Sequence, residues 1–72
     1  MTRQEIAKLE KYLRGLFRLD TLNLKARAQK DDSVEVYVGD EFIGLCFKDE
    51  DEGELSYHFQ MTILDIDLPE DL

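Results

Sequence analysis

The stretch Val34 to Gly44, with the sequence VEVYVGDEFIG, most constrains how this chain can fold. It contains two runs in which apolar and polar residues alternate, and Gly39 and Asp40 join them. Such alternation is typical of a half-buried strand, and glycine readily takes the positive φ that tight hairpin turns require. We therefore predict a β-hairpin across these two residues, with Tyr37 opposite Phe42.

Continuing this register assigns one face of the sheet to apolar side chains. It places Val36 opposite Ile43 and Val34 opposite Leu45, and directly opposed residues share a face. The predicted apolar face consists of Val34, Val36, Val38, Ile43, Leu45 and Phe47. A slip of one residue would move all of them to the other face.

Two further strands are predicted, one on each side of this hairpin. The acidic run Asp49 to Gly53 has the composition of a hairpin loop, which sets Lys48 opposite Glu54. Upstream, alternation predicts a first strand, joined to the second by a loop over residues 29–33. The predicted strands cover residues 22–28, 34–38, 41–48 and 54–63, and an acidic tail covers residues 64–72.

The N-terminal segment has the pattern of an amphipathic helix. Thr2 and Glu5 form a capping-box pair, which predicts a helix start. Apolar residues then recur at helical spacing up to residue 17. They are Ile6, Leu9, Leu13, Leu16 and Phe17. The prediction is an α+β fold in a single domain over residues 1–72, with a helix at about 2–17 packed on one face of a four-stranded antiparallel meander.

Length and charge narrow the classes of function. A chain of 72 residues can form only a small hydrophobic core, and covering more apolar surface would stabilise it. This favours self-association or a protein partner. No apolar run has the length of a membrane span, and a single cysteine, Cys46, cannot form an internal disulfide, so we expect a cytoplasmic protein without a membrane role. The net charge of −8 argues against nucleic-acid binding. A local basic face on the helix, Lys11, Arg14 and Arg18, leaves RNA binding as a weaker alternative.

The polar sheet face is the predicted contact surface. The register sets Arg27, Glu35, Gly44 and His58 in one row, with Tyr37 and Phe42 beside it. Aromatic side chains with polar neighbours are typical of protein contacts. We therefore expect a small non-enzymatic interaction module, self-associating as a homodimer and engaging an unknown protein partner. The surface comprises Tyr37, Phe42, Gly44, Arg27, Glu35 and His58.

The alternative from another class is a small-ligand-binding or cysteine-dependent enzyme that uses Cys46, His58 and Glu35. The register puts Cys46 diagonal to His58, and Glu35 could orient the imidazole, as in an activated nucleophile. A flat sheet face seldom builds an oxyanion hole, which weighs against this hypothesis. These three residues also fall short of a closed four-ligand zinc shell, so no metal or cofactor is expected.

The whole pattern also resembles a known family. The helix TRQEIAKLEKYLRGLF, the hairpin GDEFIG, the acidic turn and the segment SYHFQMTILD are similar to those of short alphaproteobacterial proteins classified only as a domain of unknown function. The resemblance covers nearly the whole chain. It implies a bacterial cytoplasmic protein and no particular activity, ligand or catalytic residue.

Overall fold

The computed structural model of this chain describes residues 1–28 and 30–70. Within these residues the chain forms one helix, four strands and a short 3₁₀ turn. They are α1 (Arg3–Phe17), β1 (Leu22–Arg27), β2 (Lys30–Val38), β3 (Glu41–Asp51), β4 (Glu54–Met61) and the 3₁₀ turn Asp65–Asp67. The strands form one antiparallel sheet in the order β1-β2-β3-β4. The predicted α+β fold, a helix followed by a four-stranded meander, is confirmed.

Helix α1 begins and ends for local reasons. The Glu5 amide donates to the Thr2 hydroxyl at 3.1 Å, and the Thr2 amide donates to the Glu5 carboxylate at 2.8 Å, which completes the predicted capping box. At the other end Arg18 takes a left-handed conformation with φ 53°. Its amide and that of Leu19 bond to carbonyls of the last turn, so the chain leaves the helix there.

The core lies between α1 and one sheet face. Its buried members come from the helix and from the first three strands, and they are Leu13, Leu22, Leu24, Val34, Val36 and Cys46. Ile6 and Leu9 pack against them from α1, whereas Leu16 and Phe17 are exposed. The helix therefore contacts the sheet mainly through its first three turns.

A bulge in β3 changes the predicted register. Tyr37 lies opposite Phe42, as predicted, but Val36 lies opposite Gly44 instead of Ile43. The extra residue reverses the direction of the side chains that follow in β3. Cys46 therefore joins the helix-side core, and the prediction that Leu45 and Phe47 lie there was wrong.

A glycine lies next to the bulge. A Cβ atom at Gly44 would clash with the backbone carbonyl oxygen of Gln60 and lie 3.0 Å from the Phe59 ring. Only a residue without a side chain lets the β4 backbone approach β3 this closely.

The second hairpin is tighter than predicted. Glu52 and Gly53 form a two-residue turn with φ of 52° and 78°, the two positive values typical of a type I′ turn. Lys48 consequently lies opposite Tyr57 instead of Glu54. The predicted five-residue loop was wrong, because acidic side chains stay solvated in an exposed strand end as well as in a loop. The bulge exchanges the two faces of β3, and the shifted pairing exchanges the faces of β4 relative to β3. The two exchanges cancel, so Phe59 remains on the helix side as predicted.

The first strand is paired two residues away from the predicted register. Leu24 lies opposite Val36, where Ala26 was expected. A shift by two keeps each side chain on its predicted face. The predicted loop over residues 29–33 was too long, because β2 begins at Lys30. Gln29 and residues 71–72 of the predicted tail lie outside the described residues.

Two polar side chains of α1 bond to the outer edge of β1. The Leu24 amide donates to the Glu10 carboxylate at 2.8 Å, and Arg14 Nε donates to the Leu22 carbonyl at 2.7 Å. Glu10 and Arg14 also form an ion pair at 3.4 Å. The helix thus occupies backbone groups that a further strand would need.

Candidate functional site

The sheet face that α1 does not cover, called the open face below, is more apolar than predicted. The bulge brings Leu45 opposite Glu35 and Phe47 opposite Ser33 on this face. Four apolar side chains now lie on it, and they are Tyr37, Phe42, Leu45 and Phe47. Phe42 is half exposed, and the other three are partly buried.

Three neighbours hold the Tyr37 ring in place. The rings of Tyr37 and Phe42 meet edge to face with centroids 5.6 Å apart. The Lys25 ammonium lies 4.2 Å from the centroid of the tyrosine ring, within cation–π range. The tyrosine hydroxyl donates to the Glu35 carboxylate at 3.0 Å, and this bond raises the pKa of Tyr37.

The predicted polar row across the open face does not form. Lys25, not Arg27, lies opposite Glu35. Arg27 instead donates from Nη1 to the Ser33 hydroxyl at 3.1 Å. The two-residue shift of β1 accounts for the exchange, so a lysine supplies the positive charge next to Glu35.

The two other members of that row lie elsewhere. Gly44 is buried opposite Val36 and Met61, on the helix side. His58 is on the open face opposite Phe47, with Nε2 3.3 Å from the Asp49 carboxylate. Neither of them adjoins Glu35, because the bulge and the tighter hairpin moved both strands.

A pocket of about 440 Å³ does lie beside Gly44, at the end of the sheet nearest the tail. Phe42 and Leu45 line it from β3, and Leu64 and Asp67 line it from the tail. Residues of β3 and of the tail therefore form the walls of this pocket.

The predicted catalytic set is not assembled. Cys46 lies opposite Phe59 in the helix-side core with 1% of its surface exposed, whereas His58 and Glu35 lie on the open face. Burial raises the pKa of the Cys46 thiol, which disfavours the reactive thiolate. Among residues 1–28 and 30–70, no group of three or more His, Cys, Asp or Glu side chains is arranged to hold a metal ion.

The basic helix face is also different from the prediction. Arg14 bonds to the Leu22 carbonyl and to Asn23 Oδ1, in addition to its ion pair with Glu10. Lys11 and Arg18 are exposed. One of the three predicted RNA-contacting side chains is therefore bound to the sheet edge.

Sequence reasoning missed an apolar groove of about 500 Å³ between α1 and β4. Side chains from both elements line it, and Cys46 lies at its floor. The main wall residues are Leu9, Tyr12, Leu13, Leu55, Tyr57 and Phe59. The sequence does contain a signal, since Tyr12 is an aromatic residue beside the predicted apolar stripe of the helix.

Glu5 closes one end of this groove. Its carboxylate lies 2.6 Å from the Lys48 ammonium and accepts from the Tyr57 hydroxyl at 3.1 Å. The Lys48 hydrogen bond, followed by the one from the Thr2 amide, lowers the pKa of Glu5 to about 2. The same carboxylate thus caps α1 and ties it to β3 and β4.

A comparison with protein families matches residues 5–67 to the family described as protein of unknown function (DUF3126). The chain belongs to this family. The match confirms the resemblance drawn from the sequence, and DUF3126 carries no described activity. No curated protein and no solved structure matches this DUF3126 chain. In the part of the chain that the structure describes, no helix has the length and apolar character to cross a membrane.

Proposed function

We propose that this chain is a small non-enzymatic protein-interaction module of the bacterial cytoplasm that self-associates through its open face. The observation that carries the proposal is the apolar set on that face, Tyr37, Phe42, Leu45 and Phe47. In the described residues, α1 lies on the opposite side of the sheet, so it leaves this set uncovered.

The character of the surface supports a protein contact. Aromatic residues are enriched at protein interfaces, and polar groups form the rim of such surfaces. Because Phe42, Lys25 and Glu35 already restrain the Tyr37 ring, binding costs little side-chain entropy there. A rigid, partly apolar patch is well suited to recognise a second protein surface.

A second copy of the chain fits this patch. A two-fold contact brings the same patch of both copies together, and this symmetry is the commonest in soluble oligomers. Lys25 and Glu35 lie next to each other at its margin with opposite charges. A two-fold arrangement can therefore match the positive side chain of one copy with the negative side chain of the other.

The unpaired cysteine supports the proposed compartment. Cys46 is a free thiol, and it is buried in the core. Free thiols persist in reducing compartments, and the cytoplasm is one.

Light scattering in physiological and high salt tests the contact. At 1 M salt the screening length falls to about 3 Å, which weakens contacts between charges but not the burial of apolar surface. We therefore expect an assembly larger than the monomer that persists at this salt concentration. The double variant Tyr37→Asp with Phe42→Asp should lose this contact. A matched control, Leu16→Asp with Ile66→Asp, changes two exposed apolar residues elsewhere and should keep it.

The outcome that contradicts the proposal is an open-face variant with the same mass as the unmodified protein. Circular dichroism of both variants shows whether a lower mass reflects a lost contact or a lost fold.

A further inference from the structure

The outer edge of β4 exposes backbone groups that no strand of the described chain uses. Residues that flank a two-residue turn form a hydrogen-bonded pair, and Asp51 and Glu54 have this position. Along β4, residues whose backbone bonds to β3 then alternate with residues whose backbone N–H and C=O groups face away from β3. The outward-facing residues are Leu55, Tyr57, Phe59 and Met61.

This edge lacks the polar cap found at β1. There, Glu10 and Arg14 occupy backbone groups of Leu24 and Leu22. Among residues 1–28 and 30–70, neither α1 nor the tail forms a corresponding hydrogen bond to the outward groups of β4. The side chain of Tyr57 does bond to Glu5, but its backbone remains available.

The residues of β4 also lack the usual protection against pairing. Edge strands of monomers are commonly interrupted by lysine, proline or a bulge. The β4 sequence ELSYHFQM has no lysine or proline, and its register with β3 is regular. After Glu54 it contains no carboxylate, in a chain with a net charge of −8. Two copies can therefore approach along this strand without opposing acidic side chains.

We infer that β4 pairs with β4 of a second copy in antiparallel orientation, which joins two sheets into one. A register centred on His58 uses all four outward-facing residues. Leu55 then faces Met61 of the partner subunit, and Tyr57 faces Phe59 of the partner subunit. This pairing forms about eight backbone hydrogen bonds, two for each bonded pair.

The side-chain pattern of β4 suits this register. Opposed residues share a sheet face, and the register pairs odd-numbered residues with odd-numbered ones. The apolar side of one strand therefore continues the apolar side of the other, and both helices lie on the same face of the joined sheet. The acidic hairpin tips, Glu52 and its neighbours, lie at opposite ends of the paired strands.

The apolar groove beside β4 adds a second contribution. Tyr12 and Leu55 line this groove, Met61 lies at the end of β4, and each of the three is at least half exposed. In the joined sheet the grooves of the two copies meet along the paired strands, so these side chains lose water contact. Burial of their apolar surface favours the contact.

The edge contact does not depend on the proposed open-face contact. Its two-fold axis is perpendicular to the sheet, whereas an axis that packs two open faces together lies parallel to the sheet. Perpendicular two-fold axes are compatible in a tetramer of D₂ symmetry. If both contacts form, the protein is a tetramer, and loss of either one leaves a dimer.

Cysteine crosslinking tests the edge and its register. In the pairing centred on His58, this residue faces its own copy at a Cβ separation of about 4.5–5.5 Å, close to disulfide geometry. Under mild oxidation His58→Cys should form a covalent dimer about tenfold or more faster than the control Lys11→Cys, because pairing raises the effective thiol concentration. Lys11 is an exposed residue of α1 and belongs to neither the β4 edge nor the open face. The unmodified protein gives the background from the buried Cys46.

Light scattering of a second variant pair measures the contribution to assembly. Leu55→Lys with Met61→Lys places lysine opposite lysine in the inferred register, and we expect the mass of the assembly to halve. The charge-matched control Leu16→Lys with Ile66→Lys lies away from the edge and should keep the full mass. Circular dichroism confirms that each variant is folded.

Equal crosslinking rates for His58→Cys and Lys11→Cys would overturn the inference, as would an unchanged mass for the Leu55→Lys, Met61→Lys variant. A mass that falls only in the Tyr37→Asp, Phe42→Asp variant would support the proposed function and overturn the edge contact. A mass that falls only in the edge variant would support the edge contact and contradict the open-face proposal.

Discussion

The first and last strands both form an edge of the same sheet, but they differ in what lies beside them. At β1, side chains of Glu10 and Arg14 bond to the outward backbone groups of Leu24 and Leu22. At β4, the described residues offer the apolar groove, the side-chain bond between Glu5 and Tyr57, and an edge-to-face contact between the rings of Phe17 and Phe59. None of these uses an outward backbone group of β4. One helix has thus closed one edge and left the other accessible.

The difference has a geometric basis. Residues i and i+4 of a helix are separated by about 6 Å along its axis, and residues i and i+2 of a strand by about 6.6 Å. Glu10 and Arg14 therefore match the spacing of successive outward residues in β1. On the β4 side the helix presents Leu9 and Tyr12, and its carboxylate there, Glu5, bonds to the side chains of Lys48 and Tyr57 instead of the β4 backbone. A single amphipathic helix can protect only the edge toward which its polar pairs are directed.

The largest effect on stability should come from a substitution that disrupts the sheet to which both edges belong. Val36 is fully buried in β2, and Val36→Asp introduces an unpaired charge there. An uncompensated buried charge costs about 3–5 kcal/mol, which is most of the stability of a small domain. We expect the variant to lose its cooperative urea transition.

The neighbouring variant Tyr37→Ser changes the open face and should stay folded. A cooperative transition for Val36→Asp at the urea concentration of the unmodified protein would contradict the assigned core.

A smaller change should disturb the β4 edge selectively. Gly44→Ala forces the new Cβ atom against the Gln60 carbonyl, and we expect a loss of about 1–3 kcal/mol. Because β4 must move, hydrogen exchange should accelerate more at β4 amides than at β1 amides.

Gly15→Ala is the matched control. A Cβ atom there has no neighbour within 4 Å, and alanine favours the helix by about 0.5–1 kcal/mol. Equal acceleration of exchange in β1 and β4 of the Gly44→Ala protein would argue against a local role for this glycine.

Removing the cap at β1 should make the two edges more alike. Glu10→Ala deprives the Leu24 amide of its acceptor, and we expect a loss of about 1 kcal/mol, since water replaces part of the bond. A Lys25→Cys variant, which carries its thiol on β1, should also crosslink faster with Glu10→Ala than without it.

Lys11→Ala changes the adjacent exposed residue and should alter stability by less than about 0.5 kcal/mol. If Glu10→Ala were as stable as Lys11→Ala, and crosslinking at residue 25 stayed slow, the edge would not depend on this cap.

The smallest effect should be on the pH dependence of the free energy of unfolding, through Glu5 at the groove beside β4. Folding lowers the pKa of Glu5 from 4.5 to about 2, so its contribution is complete above about pH 4.5 and is lost as the pH falls toward 2. Glu5→Gln should remove this part of the pH dependence of unfolding. Parallel stability curves for the two proteins between pH 5 and about 2 would contradict the assigned role of this carboxylate.

The predictions from sequence were correct where the cause is local. Thr2 and Glu5 lie three residues apart, and their reciprocal bonds form within one helical turn. Gly39 has a φ of 60°, and the turn it makes pairs Tyr37 with Phe42 as predicted. Alternation in β2 and β4 assigned the faces of Val36 and Phe59 correctly, because the valines of β2 and the apolar residues of β4 each fall on one parity.

The candidate site was predicted only in part. The aromatic pair Tyr37 and Phe42 does lie on the open face, but the row of Arg27, Gly44 and His58 beside Glu35 does not form. The run FIGLCF in β3 has apolar residues at both parities, so alternation could not decide which of them face α1.

The sequence by itself determined the capped helix, the first hairpin turn and the order of the strands, since each depends on contacts within a few residues. Tertiary structure decided the faces of β3 and the difference between the two sheet edges. Position 44, next to the bulge, requires glycine because the Gln60 carbonyl of β4 occupies the space of a side chain. The β1 cap exists because helix packing brings Glu10 to a strand fourteen residues away.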